Sequence, residues 1–189
     1  MKHLSNIVRN RIFVSVGTNV PGDWGGAPAT IARCLIELKD RGIRCDKASS
    51  AYRTAPVGFL AQPDFTNMVL EMFCDLMPRD ILKIFKLLEK LAGRRGRVRN
   101  GPRPLDLDLL SYRRWIVNWP VPRPRPPLVL PHPFLAERGF VLVPFAEIAP
   151  AWRHPATGQT TFQMLEQLGG ARHLERTGRI ERLDWKPDL

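Results

Sequence analysis

The stretch Phe65-Thr66-Asn67-Met68-Val69-Leu70-Glu71-Met72-Phe73, residues 65–73, alternates with a period of two, as a strand with two distinct faces does. One face carries Thr66, Met68, Leu70 and Met72; the other presents Phe65, Asn67, Val69, Glu71 and Phe73. Upstream, residues 12–16 form a short buried strand that opens into Gly17-Thr18-Asn19. A turn rich in Pro and Gly leads to Pro28, which starts a helix carrying Ile31, Leu35 and Leu38 at helical spacing and stopping near Gly42. Residues 43–52 return as a strand. Residues 53–64, with Pro56, Gly58 and Pro63, make a loop long enough to cover a pocket.

Downstream, Pro78 and the series Ile81, Leu82, Phe85, Leu88 mark a second helix ending near Gly93, with Glu89 in its last turns. An arginine loop follows, then a strand at residues 105–110. Leu105, Leu107 and Leu109 of that strand enter the core while Asp106 and Asp108 share the opposite face. Residues 119–133 hold seven prolines and are mostly extended irregular chain. A third helix lies near residues 160–168. The order strand, helix, strand, strand, helix, strand is that of an α+β ferredoxin-like sandwich: a four-stranded antiparallel core sheet, helices on one face, and the other face free for ligands and a proline-rich C-terminal extension. We divide the chain into an N-terminal extension (1–11), one domain (12–170) and a charged tail (171–189).

The chemistry is concentrated at residues 94–110, which hold five arginines and two carboxylates. Asp106 and Asp108, with Cα atoms roughly 7 Å apart on one strand face, are placed to grip hard cations. Arginines beside them can meet phosphate oxygens in a bidentate fork. The net charge of +11 favours an anionic partner without choosing between nucleic acid and a small phosphorylated ligand. Against nucleic acid stands the acidic pair, which would repel a phosphate backbone in the absence of metal; no RNP-type pattern of aromatics is present. Neither a Walker A loop nor a Rossmann glycine fingerprint occurs, so any ATP is held without a P-loop. Three widely spaced cysteines, no signal-like h-region and no apolar run of membrane length are those of a reduced, cytoplasmic protein.

Four stretches carry a family resemblance: Val16-Gly17-Thr18-Asn19; Ser50-Ala51-Tyr52-Arg53-Thr54-Ala55-Pro56 through Gln62-Pro63-Asp64-Phe65-Thr66-Asn67; Gly101-Pro102-Arg103-Pro104-Leu105-Asp106-Leu107-Asp108; and Pro131-His132-Pro133 through Arg138-Gly139-Phe140-Val141-Leu142 to Glu147-Ile148-Ala149-Pro150. The chain resembles the 6-hydroxymethyl-7,8-dihydropterin pyrophosphokinases of folate biosynthesis. That resemblance implies transfer of pyrophosphate from MgATP to the hydroxymethyl group of a reduced pterin by a ferredoxin-like enzyme. It further implies two Mg2+ ions on Asp106 and Asp108, and catalytic arginines among Arg94, Arg97 and Arg103, with Arg99 as the alternative to Arg97. Nucleotide contacts are implied for Glu89, Arg99, Arg103, His132 and Arg138. Pterin contacts are implied for Thr54, Ala55, Pro56, Val57, Phe65, Asn67 and Phe140, with the two phenylalanines sandwiching the ring. By the same resemblance the arginine loop closes over bound nucleotide. The implied partners are small molecules, with no nucleic acid and no membrane, and we expect a monomer. This chain departs from the pattern at Thr18, where serine is common, at the insert containing Asp23 to Gly26, and at Asn100, where some relatives carry tryptophan.

Overall fold

The computed structural model describes residues 9–56, 61–95, 101–119, 127–176 and 180–189. Its centre is an antiparallel sheet in which β1 (Asn10–Thr18) lies between β4 (Phe65–Cys74) and β5 (Asp106–Tyr112). Ile12, Val14 and Val16 of β1, with Met68, Leu70 and Met72 of β4 and Leu107 and Leu109 of β5, point to one face and are fully or almost fully buried. Helices α1 (Ala27–Asp40) and α2 (Pro78–Leu91) cover that face. Each has a proline in its first turn, where the missing N–H removes no intrahelical bond. In α2 the stripe Ile81, Phe85, Leu88 is buried, contributing about 1.5 to 3 kcal/mol per side chain.

The expected strand at residues 43–52 is divided into β2 (Arg44–Ala48) and β3 (Tyr52–Thr54), both paired with β4. The interruption has a partner far along the chain. Glu147 accepts hydrogen bonds from the Ser50 backbone N–H at 2.9 Å, the Ser50 hydroxyl and the Tyr52 hydroxyl, while the Ser49 hydroxyl accepts the Val69 N–H. The ladder thus gives way to side-chain hydrogen bonds at Ser49 and Ser50. Beyond the four expected core strands, β8 (Ile180–Arg182) extends the sheet by pairing with β3, so part of the 171–189 segment is sheet. A hairpin of β6 (Val117–Trp119) and β7 (Leu128–Leu130) forms a separate ladder. Residues 120–126 of the proline-rich segment lie outside the described residues.

The second face is not left wholly to ligands. Helix α3 (Gly139–Ile148) packs there, with Val141, Leu142 and Phe145 against Phe13, Val69 and Leu110. Two shorter helices, α4 (Thr161–Gln167) and α5 (Gly170–Arg176), follow it; α4 begins with a Thr160/Gln163 capping box. Phe13, Phe145 and Trp152 stack as an aromatic group at the start of β1. The opposite end of this face, around Gly17, stays open. All three cysteines are free thiols, and burial pushes Cys34 and Cys45 up to about 12. Among the described residues no helix is long and apolar enough to cross a membrane.

Candidate active site

Strand register sets the floor of the open end. Gly17 pairs with Asn67 on one side and Asp106 on the other, and Ser15 pairs with Val69 and Asp108. Because β1 runs between its two partners, the amide of Asn67 and the carboxylate of Asp106 belong to one row across the sheet, separated by a residue with no side chain. A Cβ built on Gly17 would lie 2.7 Å from Asn67 Oδ1, so the close approach requires glycine. The row forms the base of a cleft of about 290 Å³.

The cleft brings together Thr54, Ala55, Phe65, Asn67, Arg103, Asp106, Asp108, His132, Arg138 and Phe140, ten of the residues expected from the sequence. Pro56 lines an adjoining apolar pocket on the far side of Phe140. Val57, Arg97 and Arg99 lie outside the described residues. Phe65 and Phe140 are half-buried rather than packed in the core, which leaves ring surface for a ligand. Thr54 is buried, and its hydroxyl accepts from Asn67 Nδ2 at 2.7 Å. That bond fixes the amide so that Oδ1 faces the Gly17 floor.

On the acidic side, Asp106 Oδ1 receives Arg103 at 2.6 Å and Arg94 at 3.3 Å. Asp108 Oδ2 lies 3.5 Å from Arg138 and 3.9 Å from His132 Nε2. Each carboxylate therefore has its own cationic partner, Arg103 and Arg94 beside Asp106 and Arg138 beside Asp108, as like charges on one strand face require. His132 is anchored by its backbone N–H to Leu110 O, and its Nδ1 accepts the Phe134 N–H at 3.2 Å. With Nδ1 an acceptor, the neutral ring directs an Nε2–H toward Asp108 and the cleft. Burial holds the imidazole below its ordinary pKa, opposed by the nearby Asp108 charge and reinforced by Arg138. Arg138 also lies over the rings of Phe134 and Phe140, 5.1 and 5.6 Å from their centroids.

Glu89 stands apart from the cleft lining. Its side chain is 2% exposed; Oε1 accepts the Leu107 N–H at 3.1 Å, and the carboxylate pairs with Lys86 and with Arg94 at 2.5 Å. It ties the end of α2 to the backbone between Asp106 and Asp108 and holds Arg94 near Asp106. The family resemblance implies a nucleotide contact for Glu89; in the fold its carboxylate is engaged by this internal network.

Ser15, Gly17, Gln62, Gly101 and Phe134 line the cleft without having been expected there. Asn19 supports it from behind: Nδ2 donates to Gln62 Oε1 and Pro63 O, and Oδ1 accepts the Arg103 N–H at 2.7 Å. One amide thereby joins the loops that carry Phe65 and Arg103. The quoted resemblance stretches were the available signal for Gly17, Asn19, Gln62 and Gly101, although they carried no role for these residues.

The sequence pattern of the family described as 7,8-dihydro-6-hydroxymethylpterin-pyrophosphokinase (HPPK) matches residues 13–150. The 2-amino-4-hydroxy-6-hydroxymethyldihydropteridine pyrophosphokinase of Synechocystis sp. is 39% identical over 155 residues, covering 82% of this chain and 74% of that one. The folic acid synthesis protein fol1 of Pneumocystis carinii is 32% identical over 168 residues, covering 89% of this chain; this chain spans only 21% of that protein's length. In fold, the chain is similar to the crystal structure of wild-type Plasmodium falciparum HPPK-DHPS, with a TM-score of 0.70 at 12% identity, over 92% of this chain and 48% of that one.

Proposed function

Because the chain belongs to the 7,8-dihydro-6-hydroxymethylpterin-pyrophosphokinase family, we propose that it transfers pyrophosphate from ATP to the hydroxymethyl oxygen of 6-hydroxymethyl-7,8-dihydropterin, releasing AMP. In this reaction the hydroxymethyl oxygen forms a bond to the β-phosphorus. The bond from that phosphorus to the oxygen bridging the α-phosphate breaks, its electron pair leaves with AMP, and the hydroxyl proton is released. The observation that supports the reading most is the Asn67–Gly17–Asp106 row: an amide suited to a heterocycle edge and a carboxylate suited to metal-bound phosphate share one cleft floor.

Phe65 and Phe140 are assigned to the two faces of the pterin, and Asn67 to its hydrogen-bonding edge. Thr54 acts through Asn67 by holding the amide plane. Pro56 and Val57 continue the pterin loop. Arg103 and Arg94 are assigned to the triphosphate, exchanging Asp106 for phosphate oxygens, with Arg138 and the Nε2–H of His132 on the Asp108 side. Arg97 and Arg99 complete the closing loop.

Asp106 and Asp108 suit two Mg2+ ions. They are hard oxygen donors, partly exposed to the cleft, and among the described residues no third His, Cys, Asp or Glu joins them in a protein cage. Magnesium characteristically takes one or two carboxylates and fills its remaining positions with water and phosphate oxygens. When bound, the ions offset repulsion within the triphosphate and polarise the oxygens that gain charge during transfer. The protein's own contribution is to place the two carboxylates and to exclude water that would hydrolyse ATP. Free thiols support a reducing, cytoplasmic setting.

The direct test is AMP release that depends on both magnesium and added 6-hydroxymethyl-7,8-dihydropterin. Metal-independent, salt-sensitive RNA binding with no AMP formed would overturn the assignment. Two substitutions examine the pterin half. Asn67→Ala and Phe65→Ala are each expected to weaken pterin binding by about 1 to 3 kcal/mol while leaving ATP affinity near the parent value. Separate calorimetric titrations distinguish that result from equal losses for both ligands, which would mark a purely structural role. Gly17→Ala is expected to leave a folded protein, since an extended strand accepts alanine, but to displace Asn67 and weaken pterin binding about tenfold or more. Parent-like pterin affinity in that variant would remove Gly17 from the site floor.

A further inference from the structure

A second cleft lies at the other end of β1, and the proposed reaction makes no use of it. Its volume is about 600 Å³, and its lining includes Arg9, Arg11, Arg113, Arg114 and Arg153 together with the indoles of Trp115 and Trp152. No carboxylate is among the lining residues. Arg11 and Gly17 stand on the same strand, roughly 20 Å apart at about 3.3 Å per residue, so the cleft is separate from the Asp106 floor.

The arginines are gathered by backbone structure. The Arg113 N–H donates to Arg11 O at 2.8 Å, which brings the turn after β5 alongside the start of β1. Arg113 holds φ at 52°, a left-handed conformation that glycine or asparagine adopts more readily. A long cation thus occupies a turn position suited to a small residue. Two of the five charges are partly engaged: Arg11 pairs with Glu71 and lies 4.9 Å from the Phe13 centroid, and Arg153 donates to Gly158 O. Arg9, Arg113 and Arg114 form no ion pair among the described residues. Both indoles are half-buried; Trp152 packs on Phe13 and Phe145, and Trp115 on Tyr112. They are rigid flat surfaces beside unpaired guanidinium groups.

We propose that this cleft binds a nucleoside polyphosphate, with the base on an indole face and the phosphates on Arg9, Arg113 and Arg114. Guanidinium forks match phosphate oxygens, and a flat ring stacks on tryptophan. The volume is that of a small-molecule site. A bare phosphate chain would leave the indoles without a role.

The test is equilibrium dialysis of the full chain with radiolabelled AMP-PNP and magnesium. Expected is a binding event, additional to any at the Asp106 cleft, that Arg113→Asn/Arg114→Gln weakens about tenfold or more. Asparagine retains the left-handed turn, so the paired variant is expected to remain folded. Trp115→Leu is expected to weaken the same event, and turnover to stay at the parent level in both variants. The signal followed is the variant-sensitive event, so its outcome is independent of whether pterin transfer is observed. Nucleotide binding unchanged in both variants would overturn the proposal. So would inorganic triphosphate competing as well as AMP-PNP, which would mean a phosphate patch. A short single-stranded RNA displacing the nucleotide at far lower concentration would overturn it too, in favour of a nucleic-acid surface.

Discussion

Replacing Asp106 by alanine is expected to lower turnover by at least about a thousandfold while leaving the circular dichroism spectrum and unfolding midpoint close to those of the parent. Asp106 lies on the cleft floor, 22% exposed, with its carboxylate engaged by arginines and not packed in the apolar core. Two arginines meet its Oδ1, so the substitution removes a proposed metal ligand and also frees Arg94 and Arg103 from their positions. Asp108→Ala is expected to behave alike, with Arg138 and His132 losing their acidic neighbour. The decisive measurement is single-turnover AMP formation at saturating ATP and pterin. Near-parent rates in both variants would eliminate the carboxylate pair as the centre of the chemistry.

Glu89→Leu is expected to cost about 3 kcal/mol of stability, the lower part of the range for breaking a buried ion pair, because Lys86 and Arg94 keep some access to solvent. The Leu107 N–H loses its acceptor at the same time. Urea unfolding would read this directly. Glu89→Gln separates the two duties of the residue. An amide oxygen can still accept the Leu107 N–H, but it no longer holds Arg94 by charge. For that variant a smaller stability loss and a clear fall in kcat are expected, with ATP affinity less affected. A large loss of ATP affinity with unchanged stability would instead make Glu89 a direct nucleotide contact.

The parts of the fold that could be read from the sequence are those whose cause is local. The faces of β4 followed from alternation, and the same alternation placed Asp106 and Asp108 together on β5. The starts of α1 and α2 were marked by prolines. Helix α3 was missed because Gly139–Ile148 is apolar nearly all round and contains Pro144, so no polar face advertises a helical period. Its surroundings, not its pattern, make it a helix. The division of β2 from β3 was equally invisible, since the carboxylate that accepts the Ser50 N–H comes from Glu147. For the site, residue types and spacing identified the Asp106/Asp108 pair and the arginines beside it, while the rest of the expected cleft lining came from the family resemblance. The separation of Glu89 from that lining required the fold, because a glutamate late in α2 looks the same in sequence whether it faces a ligand or the strand beneath it.

The row through Gly17 also acts as a ruler. Adjacent strands are held at about 4.8 Å by their ladder hydrogen bonds, so the backbones carrying Asn67 and Asp106 stand about 10 Å apart, whatever rotamers the side chains adopt. A ligand that engages both must bridge what that fixed spacing leaves between the ends of the two side chains, and one with the right ring but a much longer or shorter arm would present its oxygen out of register with the carboxylates. The sheet itself thereby selects for reach, a property that changes to the pocket walls alone would leave in place.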